Sequence, residues 1–356
     1  MDSLLVYGAY GYTGELIARN AVSRGNTPVL AGRDAARLAA LADDFHCARR
    51  TFDLRSPERI ADALDDIDVV LNCAGPFRRT ADPLVDACLA AGVDYLDITG
   101  ELTVFERLAR RDDETRNAGV TLLPGVGFDV VPTDCLAAHL HDRLPTATHL
   151  SIAIDAEGSL SRGTLKTLLD GLGTGGAIRE HGSLRYQPTA SRSRTVDFGS
   201  GRKRVVTAPL GDVSTAYWTT GIETIRAYVA LPDGVDTAHR LSRLVSADRL
   251  LDSLGGSTTA KRLLSRGVDR LVSNPTAAER AANTTRIWGE AWSERTGETI
   301  RSVLFTPDPY ELTASAAVAC AERVRNGEAP TGYTTPASAF GSEFVLSFDG
   351  VERTDR

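Results

Sequence analysis

At 356 residues the chain is long for one hydrophobic core and suits two domains, or one domain carrying a large insertion. With 42% hydrophobic and 24% charged residues it has the composition of a soluble globular protein. Its net charge of −7, from 47 acidic against 40 basic residues, provides no field to attract nucleic acid, so nucleic acid is excluded as a default partner.

The five cysteines (Cys47, Cys73, Cys88, Cys135, Cys320) are odd in number, scattered and never spaced C-x-x-C. Neither a disulfide framework nor a zinc site is indicated, and a reducing cytoplasm is the simple reading. His139 and His141 stand two apart on a helical pattern, which turns them to different faces, so a surface histidine pair is expected there rather than a metal site. No apolar run reaches the roughly 18 residues that suggest a membrane span. The opening Met1 to Gly8 enters a strand pattern directly and reads as mature sequence.

In chain order, apolar runs alternate with helical patterns. The expected elements are a strand at Leu4–Tyr7, a helix at Glu15–Ser23, a strand at Pro28–Ala31 and a helix at Ala35–Ala42. A strand near Ala48–Phe52, a helix at Pro57–Leu64, a strand at Asp68–Asn72 and a helix at Pro83–Ala91 follow. Tyr95–Ile98 reads as strand, Val104–Asn117 as helix and Val120–Leu122 as a sixth strand. Such βαβ alternation predicts an α/β doubly wound parallel sheet. After a helix at Thr133–Arg143 the texture changes. Strands are expected at Leu150–Asp155, Arg194–Phe198, Arg204–Ala208, Thr224–Leu231, Thr285–Ser293 and Thr299–Phe305, in antiparallel succession, with helices at Gly163–Ala177 and through much of Asp236–Leu271. A final helix is expected at Pro309–Arg325.

Gly8-Ala9-Tyr10-Gly11-Tyr12-Thr13-Gly14 joins the first strand to the first helix. A tight glycine turn there aims backbone N–H groups and the positive end of the helix dipole at a pyrophosphate, which points to a dinucleotide. The competing reading is a turn that only lets helix and strand pack closely. At the end of the second strand, Arg33 stands where an arginine pairs with the additional phosphate of NADP, and Asp34 suits the N-cap of the next helix. NADP(H) is therefore expected over NAD. Asp53 lies at the end of the third strand, for adenine contact or for capping the helix at Pro57. Asn72-Cys73-Ala74-Gly75-Pro76-Phe77 lies at the end of the fourth, where the nicotinamide ribose would pass.

With these residues the chain resembles the saccharopine dehydrogenase-like oxidoreductases, particularly the branch with trans-acting enoyl reductases. The resemblance is carried by Gly8 to Gly14, Ala31 to Arg33, Val69 to Phe77, Tyr95 to Glu101, Gly125 to Pro132 and Thr335 to Gly341. It implies a Rossmann domain over 1–135, an inserted α+β domain with a mainly antiparallel sheet over 136–306, used for substrate or dimerisation, and a helix and tail over 307–356 returning to the first domain. The loop spacing G-x-x-G-x-x-G departs from the saccharopine reductases. It also occurs in short-chain dehydrogenases, whose Tyr-x-x-x-Lys pair is absent: Arg162, Gly199 and Ser257 precede the three lysines by four residues.

Hydride chemistry needs a proton donor at the crevice edge. Asp97 and Glu101 flank the end of the fifth strand and Asp129 follows the sixth, so these three are the catalytic candidates. Their structural alternatives are a helix-dipole partner for Glu101 and a turn residue for Asp129. Tyr95 is similarly placed, with strand packing as its alternative role. Beyond 135, the Leu165-Leu168-Leu169-Leu172 stripe, the glycine-rich Gly171 to Gly176 and Asp212 to Thr220 are candidates for the substrate side, with plain core as the alternative. The leading expectation is an NADPH-dependent reductase acting on an enoyl or carbonyl group of a small, lipid-like molecule, with an apolar cleft for the chain. A saccharopine-type amino-acid or imine dehydrogenase, using Arg78 and Arg79 for carboxylates, is the second. A non-catalytic NADP-binding protein in lipid metabolism is the third. A homodimer and peripheral membrane contact remain open.

Overall fold

A computed structural model describes residues 4–156, 176–188, 190–231 and 274–356. The expected helix over Asp236–Leu271 and nearly all of the Gly163–Ala177 segment, with its leucine stripe and glycines, lie outside the described residues. The chain divides into two compact units: Met1–Cys135 with Pro309–Asp349, and Leu136–Asp308 with Gly350–Arg356.

The first unit alternates β1 (Leu4–Tyr7), α1 (Tyr12–Ser23), β2 (Val29–Gly32), α2 (Ala35–Phe45), β3 (Arg49–Thr51), α3 (Pro57–Asp62), β4 (Val69–Asn72), α4 (Phe77–Ala91), β5 (Asp94–Asp97), α5 (Leu102–Ala109), α6 (Asp112–Ala118) and β6 (Thr121–Leu123). The sheet order is β3-β2-β1-β4-β5-β6, extended beyond β6 by a seventh strand at Gly332–Tyr333 that the sequence reading did not foresee. All of these pairings are parallel. β1, β2 and β4 are buried along their whole length, as strands covered on both faces must be. The C-terminal helix Pro309–Arg325 is tied to α1 by Glu322, which accepts from Arg24 and Asn26.

Two helices differ from expectation for local reasons. α4 begins at Phe77 and carries Pro83 in its interior, whereas the proline reads from sequence as a helix start. The segment after β5 forms two helices. α5 already buries its own face through Leu102, Val104, Phe105 and Leu108, and the acidic run Asp112-Asp113-Glu114 opens a new N-terminus where negative charge is favourable.

After α7 (Val131–Arg143), the second unit contains β7 (His149–Ala156), β8 (Gly176–Glu180), β9 (Ser183–Gln187), β10 (Ser193–Asp197), β11 (Arg202–Thr207), β12 (Thr224–Ala230), β13 (Thr284–Trp292) and β14 (Thr299–Pro307). The sheet is mixed, since β12 runs parallel to β7 while the other pairings are antiparallel. The β8–β9 hairpin escapes a sequence reading because its two-residue turn is His181-Gly182, both at positive φ (49° and 73°), and histidine is an unusual occupant of that region. The tail also divides: after β15 (Gly332–Tyr333), β16 (Glu352–Asp355) pairs with β14 and so joins the second unit rather than the first.

Val196, Phe198, Val205, Tyr228, Trp288 and Val303 form an apolar cluster in this unit. Beside it, the buried Asp155 accepts from Lys203 Nζ at 3.0 Å and Arg286 Nη1 at 3.1 Å. Deleting that carboxylate leaves two largely buried cations facing each other. Asp155→Ala is expected to cost about 3 kcal/mol in urea unfolding, the lower end for a broken buried pair. A loss below about 1 kcal/mol would show that water already screens the cluster.

Candidate functional site

The strand order reverses between β1 and β4, which places a crevice at their carboxyl ends. Gly8 has φ +84°, and a Cβ there would lie 2.9 Å from both Cβ and N of Ala74, so the turns after β1 and β4 press together. A Cβ at Gly14 would collide with the Gly8 carbonyl oxygen and lie 3.1 Å from Ala9 Cα. Gly11 differs. It is the N-cap of α1, no side chain caps it, and a Cβ there would meet only the Gly8 oxygen at 3.2 Å. Gly8 and Gly14 thus shape the turn, while Gly11 leaves the helix N-terminus approachable by an anion. In the first turn, Tyr12 packs edge-on to Tyr310 at 5.1 Å, Thr13 is half-buried, and Glu15 pairs with Arg19 at 3.2 Å.

Tyr10 lies across the end of β2, where Gly32 leaves no room for a Cβ beneath its ring. Its hydroxyl accepts from the amides of Arg33 and Asp34 at 3.2 Å each. Asp34 is spent as the cap of α2, accepting from the Arg37 amide at 3.1 Å, and Arg33 is exposed. Sequence reasoning missed Arg37. Its guanidinium stands 4.7 Å over the Tyr10 ring and donates to the Tyr10 carbonyl at 2.8 Å, giving this end a second cation. Its position one helical turn beyond Arg33 was the available signal. Asp53 is held by Arg55, whose backbone and side chain both donate to it and lower its pKa. The cap of α3 is Ser56, not Asp53. The buried Tyr7 phenol is pushed up to about 12 by burial and then by Tyr10, with Arg33 opposing and Asp53 adding, so these groups share one end of the crevice.

At the other end, three carboxylates have different surroundings. Asp97 is completely buried: Oδ2 accepts from the Tyr95 hydroxyl at 2.9 Å, and Oδ1 accepts from the amides of Thr99 and Gly125 at 3.0 Å. Asn72, also fully buried, donates to Tyr95 and Thr80 and accepts from the Ala74 amide. Burial pushes Asp97 up to about 6 against these donors, and burial together with Asp97 raises the Cys73 thiol. Glu101 accepts from the amides of Phe77 at 2.7 Å and Arg78 at 3.1 Å, so it caps α4, the helix that Gly75 and Pro76 introduce. Asp129 is different. It is exposed, its carboxyl rests against Gly100, where a Cβ would fall 2.7 Å from Oδ2, and among the described residues it has no hydrogen-bond or ion-pair partner. Dense protein on the sides away from solvent raises it to about 6.

The strand order, the open helix N-terminus and the cations beyond β2 define a Rossmann-type nucleotide-binding unit. Residues 4–123 match the family described as saccharopine dehydrogenase NADP binding domain, and this part of the chain is an NADP-binding domain of that type. Over 148 residues, 37% of this chain and 33% of the relative, the sequence is 32% identical to a probable mitochondrial saccharopine dehydrogenase-like oxidoreductase of Arabidopsis thaliana. It is 28% identical to the trans-acting enoyl reductase of Mycobacterium ulcerans over 55% of this chain and 51% of that one. It is 25% identical to the human saccharopine dehydrogenase-like oxidoreductase over 50% and 47%. The matches span a third to about half of these relatives' lengths. In fold, the chain is similar to the apo saccharopine dehydrogenase (L-Glu forming) of Saccharomyces cerevisiae, with a TM-score of 0.67 and 12% identity over the full length of both. Among the described residues no helix is long and apolar enough to cross a membrane.

NADP fits the residues present: the uncapped turn at Gly11 suits the pyrophosphate, and Arg33 with Arg37 suits an additional phosphate beside Tyr10. Arg33→Ala should weaken NADPH binding roughly ten- to hundredfold, the worth of a charge-assisted hydrogen bond, and leave NADH nearly unchanged. Equal losses for both cofactors in fluorescence titration would remove the phosphate role.

Asp97 gives a prediction of opposite character. Its carboxyl holds its proton more tightly in the folded chain than in the unfolded one, so the folded state binds more protons between about pH 4 and pH 6 and stability falls as pH rises through that window. A rise of about two pK units corresponds to about 3 kcal/mol. The stability margin of the parent over Asp97→Asn should therefore shrink between pH 4 and pH 6 and then level off. A flat margin in urea titrations would show that Asp97 does not titrate there.

Proposed function

We propose that the protein is an NADPH-dependent oxidoreductase that reduces an enoyl or carbonyl group of a lipid-like substrate, with Asp129 as the proton donor. The observation that carries the donor assignment is the contrast among the three carboxylates: Asp97 and Glu101 have their oxygens taken up by donors, while Asp129 is solvent-open and unpartnered among the described residues. The NADP-binding domain and the enoyl reductase name of one relative support the reaction class.

NADPH, when bound, supplies a hydride to the electron-poor carbon of the substrate. Asp129 then delivers a proton to the adjacent carbon of an enoyl group, or to the oxygen of a carbonyl, and regains one from water. A carboxyl near 6 suits both halves of that cycle close to neutral pH. Asp97 and Glu101 act as positioning residues that fix the turns after β5 and β4 around it. The same donor serves either acceptor, so the substrate assays below distinguish them.

Asp129→Asn should lower kcat by about a hundredfold or more, within the range for a lost general acid, while the Kd for NADPH stays within about twofold. In the parent, kcat should fall as pH rises through about 6, because only the protonated carboxyl donates. The assay is NADPH oxidation with enoyl thioesters and ketones of increasing chain length, with saccharopine and NADP+ run in parallel. Turnover of saccharopine alone would replace the lipid reading with the amino-acid one. Unchanged kcat in Asp129→Asn would remove the donor.

A further inference from the structure

The second unit carries a cluster of cations that the proposed reaction does not use. Strand register aligns Arg226 of β12 with Ser151 of β7, Ser151 with Glu290 of β13, and Glu290 with Arg301 of β14, so these four residues form one row across the sheet. One step along, His149 stands opposite Trp292, with ring centroids 4.6 Å apart. Arg194 reaches in from β10, its guanidinium 4.7 Å over the Trp288 ring. Together these residues line an open cavity of about 410 Å³, within the range of small-molecule sites.

The charges in the lining do not cancel. Glu290 is fully engaged, with Oε1 on Arg194 at 3.0 Å and Oε2 on Arg301 at 2.7 Å. That leaves Arg226. Among the described residues its one ion-pair contact is Glu180, 4.0 Å from Nη2, and the Arg226 Nε is shut off from water with no acceptor. The side chain lines the cavity with a quarter of its surface exposed, so an incoming oxygen would meet its terminal nitrogens, Nε being out of reach. Three arginines against one carboxylate give the lining a surplus of positive charge. His149 adds none at neutral pH, because burial lowers its pKa, with Arg226 and His181 acting in the same direction and Glu294, 3.7 Å away at the rim, opposing. An Arg–Glu–Arg bridge alone would serve the stability of the sheet. A third guanidinium in the same row with an unanswered donor has no such role.

We propose that this cleft is an oxyanion-binding site, which takes a small molecule through a carboxylate or phosphate group held by Arg226, with Arg194 and Arg301 supplying the surrounding positive charge. The planar fork of Arg226 matches two oxygens of either group. Trp292, its ring tilted 48° against that of His149, offers a flat wall for the rest of the molecule. Glu290 sets the directions of the two flanking guanidinium groups, and the surplus positive charge disfavours ligands that are cationic at this end. The site stands on residues of the second unit alone and does not depend on the reductase reading.

The test is calorimetric titration of the full chain with inorganic phosphate and, separately, with glutarate, at low ionic strength and pH 7. The parent should bind at least one of them saturably, and Arg226→Met, which keeps the length of the stem, should weaken that binding at least tenfold. Tighter binding of phosphate assigns the site to a phosphoryl group, and tighter binding of glutarate to a carboxylate. Should Arg226→Met fail to fold, Arg226→Lys replaces it, with weaker binding expected from loss of the fork. Neither probe binding below about 10 mM in the parent would overturn the proposal. So would unchanged affinity in the variant, since phosphate held at the N-terminus of α1 would persist there.

Discussion

The carboxyl edge of the first sheet depends on one buried chain of hydrogen bonds: Asn72 to Tyr95, Tyr95 to Asp97, and Asp97 to the amides of Thr99 and Gly125. It joins the ends of β4 and β5 to the turn after β6. Each strand end would otherwise be a loop with its own freedom, and the turns that carry Ala74, Glu101 and Asp129 would not keep a fixed spacing. A polar network in such a dry place stabilises only when every member is satisfied. Asn72 is satisfied in this way, with both its amide nitrogen and its oxygen engaged. The raised pKa of Asp97 reflects the cost of holding a carboxylate without water.

Glu101 extends the same logic to a helix. The N-terminus of α4 presents unpaired amides close to the crevice, a natural anion site. The carboxylate of Glu101 fills it, bonding Phe77 and Arg78 from 24 and 23 residues away in sequence. α1 receives no such cap at Gly11. Two helix N-termini at one sheet edge are therefore treated differently, one closed by the chain's own carboxylate and one left for a ligand. That asymmetry is what a pyrophosphate site proposed at the turn after β1 requires.

Much of this was legible in the sequence where the signal is local. The glycine turn, Arg33 beside Asp34, and the strand–helix alternation of the first 123 residues are read from neighbours along the chain. What escaped depends on partners distant in sequence. Nothing near Glu101 shows that it caps α4, and nothing near Asn72 shows that its amide is consumed by Tyr95 and Thr80. The seventh strand at Gly332–Tyr333 is only two residues long and acquires its identity by pairing with β6. The parallel pairing of β12 with β7 is likewise a property of register, invisible to a pattern of alternating residues that fits either direction.

The three carboxylates candidate for catalysis illustrate what structure adds to residue type. From sequence they are equivalent, each acidic and each at a strand end. Asp97 meets three donors and Glu101 meets two backbone amides, so the oxygens of both are occupied in holding the edge together. Asp129 meets none among the described residues, and Gly100 provides the space its carboxyl occupies. A proton can come and go at Asp129 without any other group having to rearrange. The rigid network fixes where the turn stands, and the lack of partners among the described residues is what the proposed proton-donor role requires. An edge held by two engaged carboxylates is what allows the third to remain unengaged at a defined position.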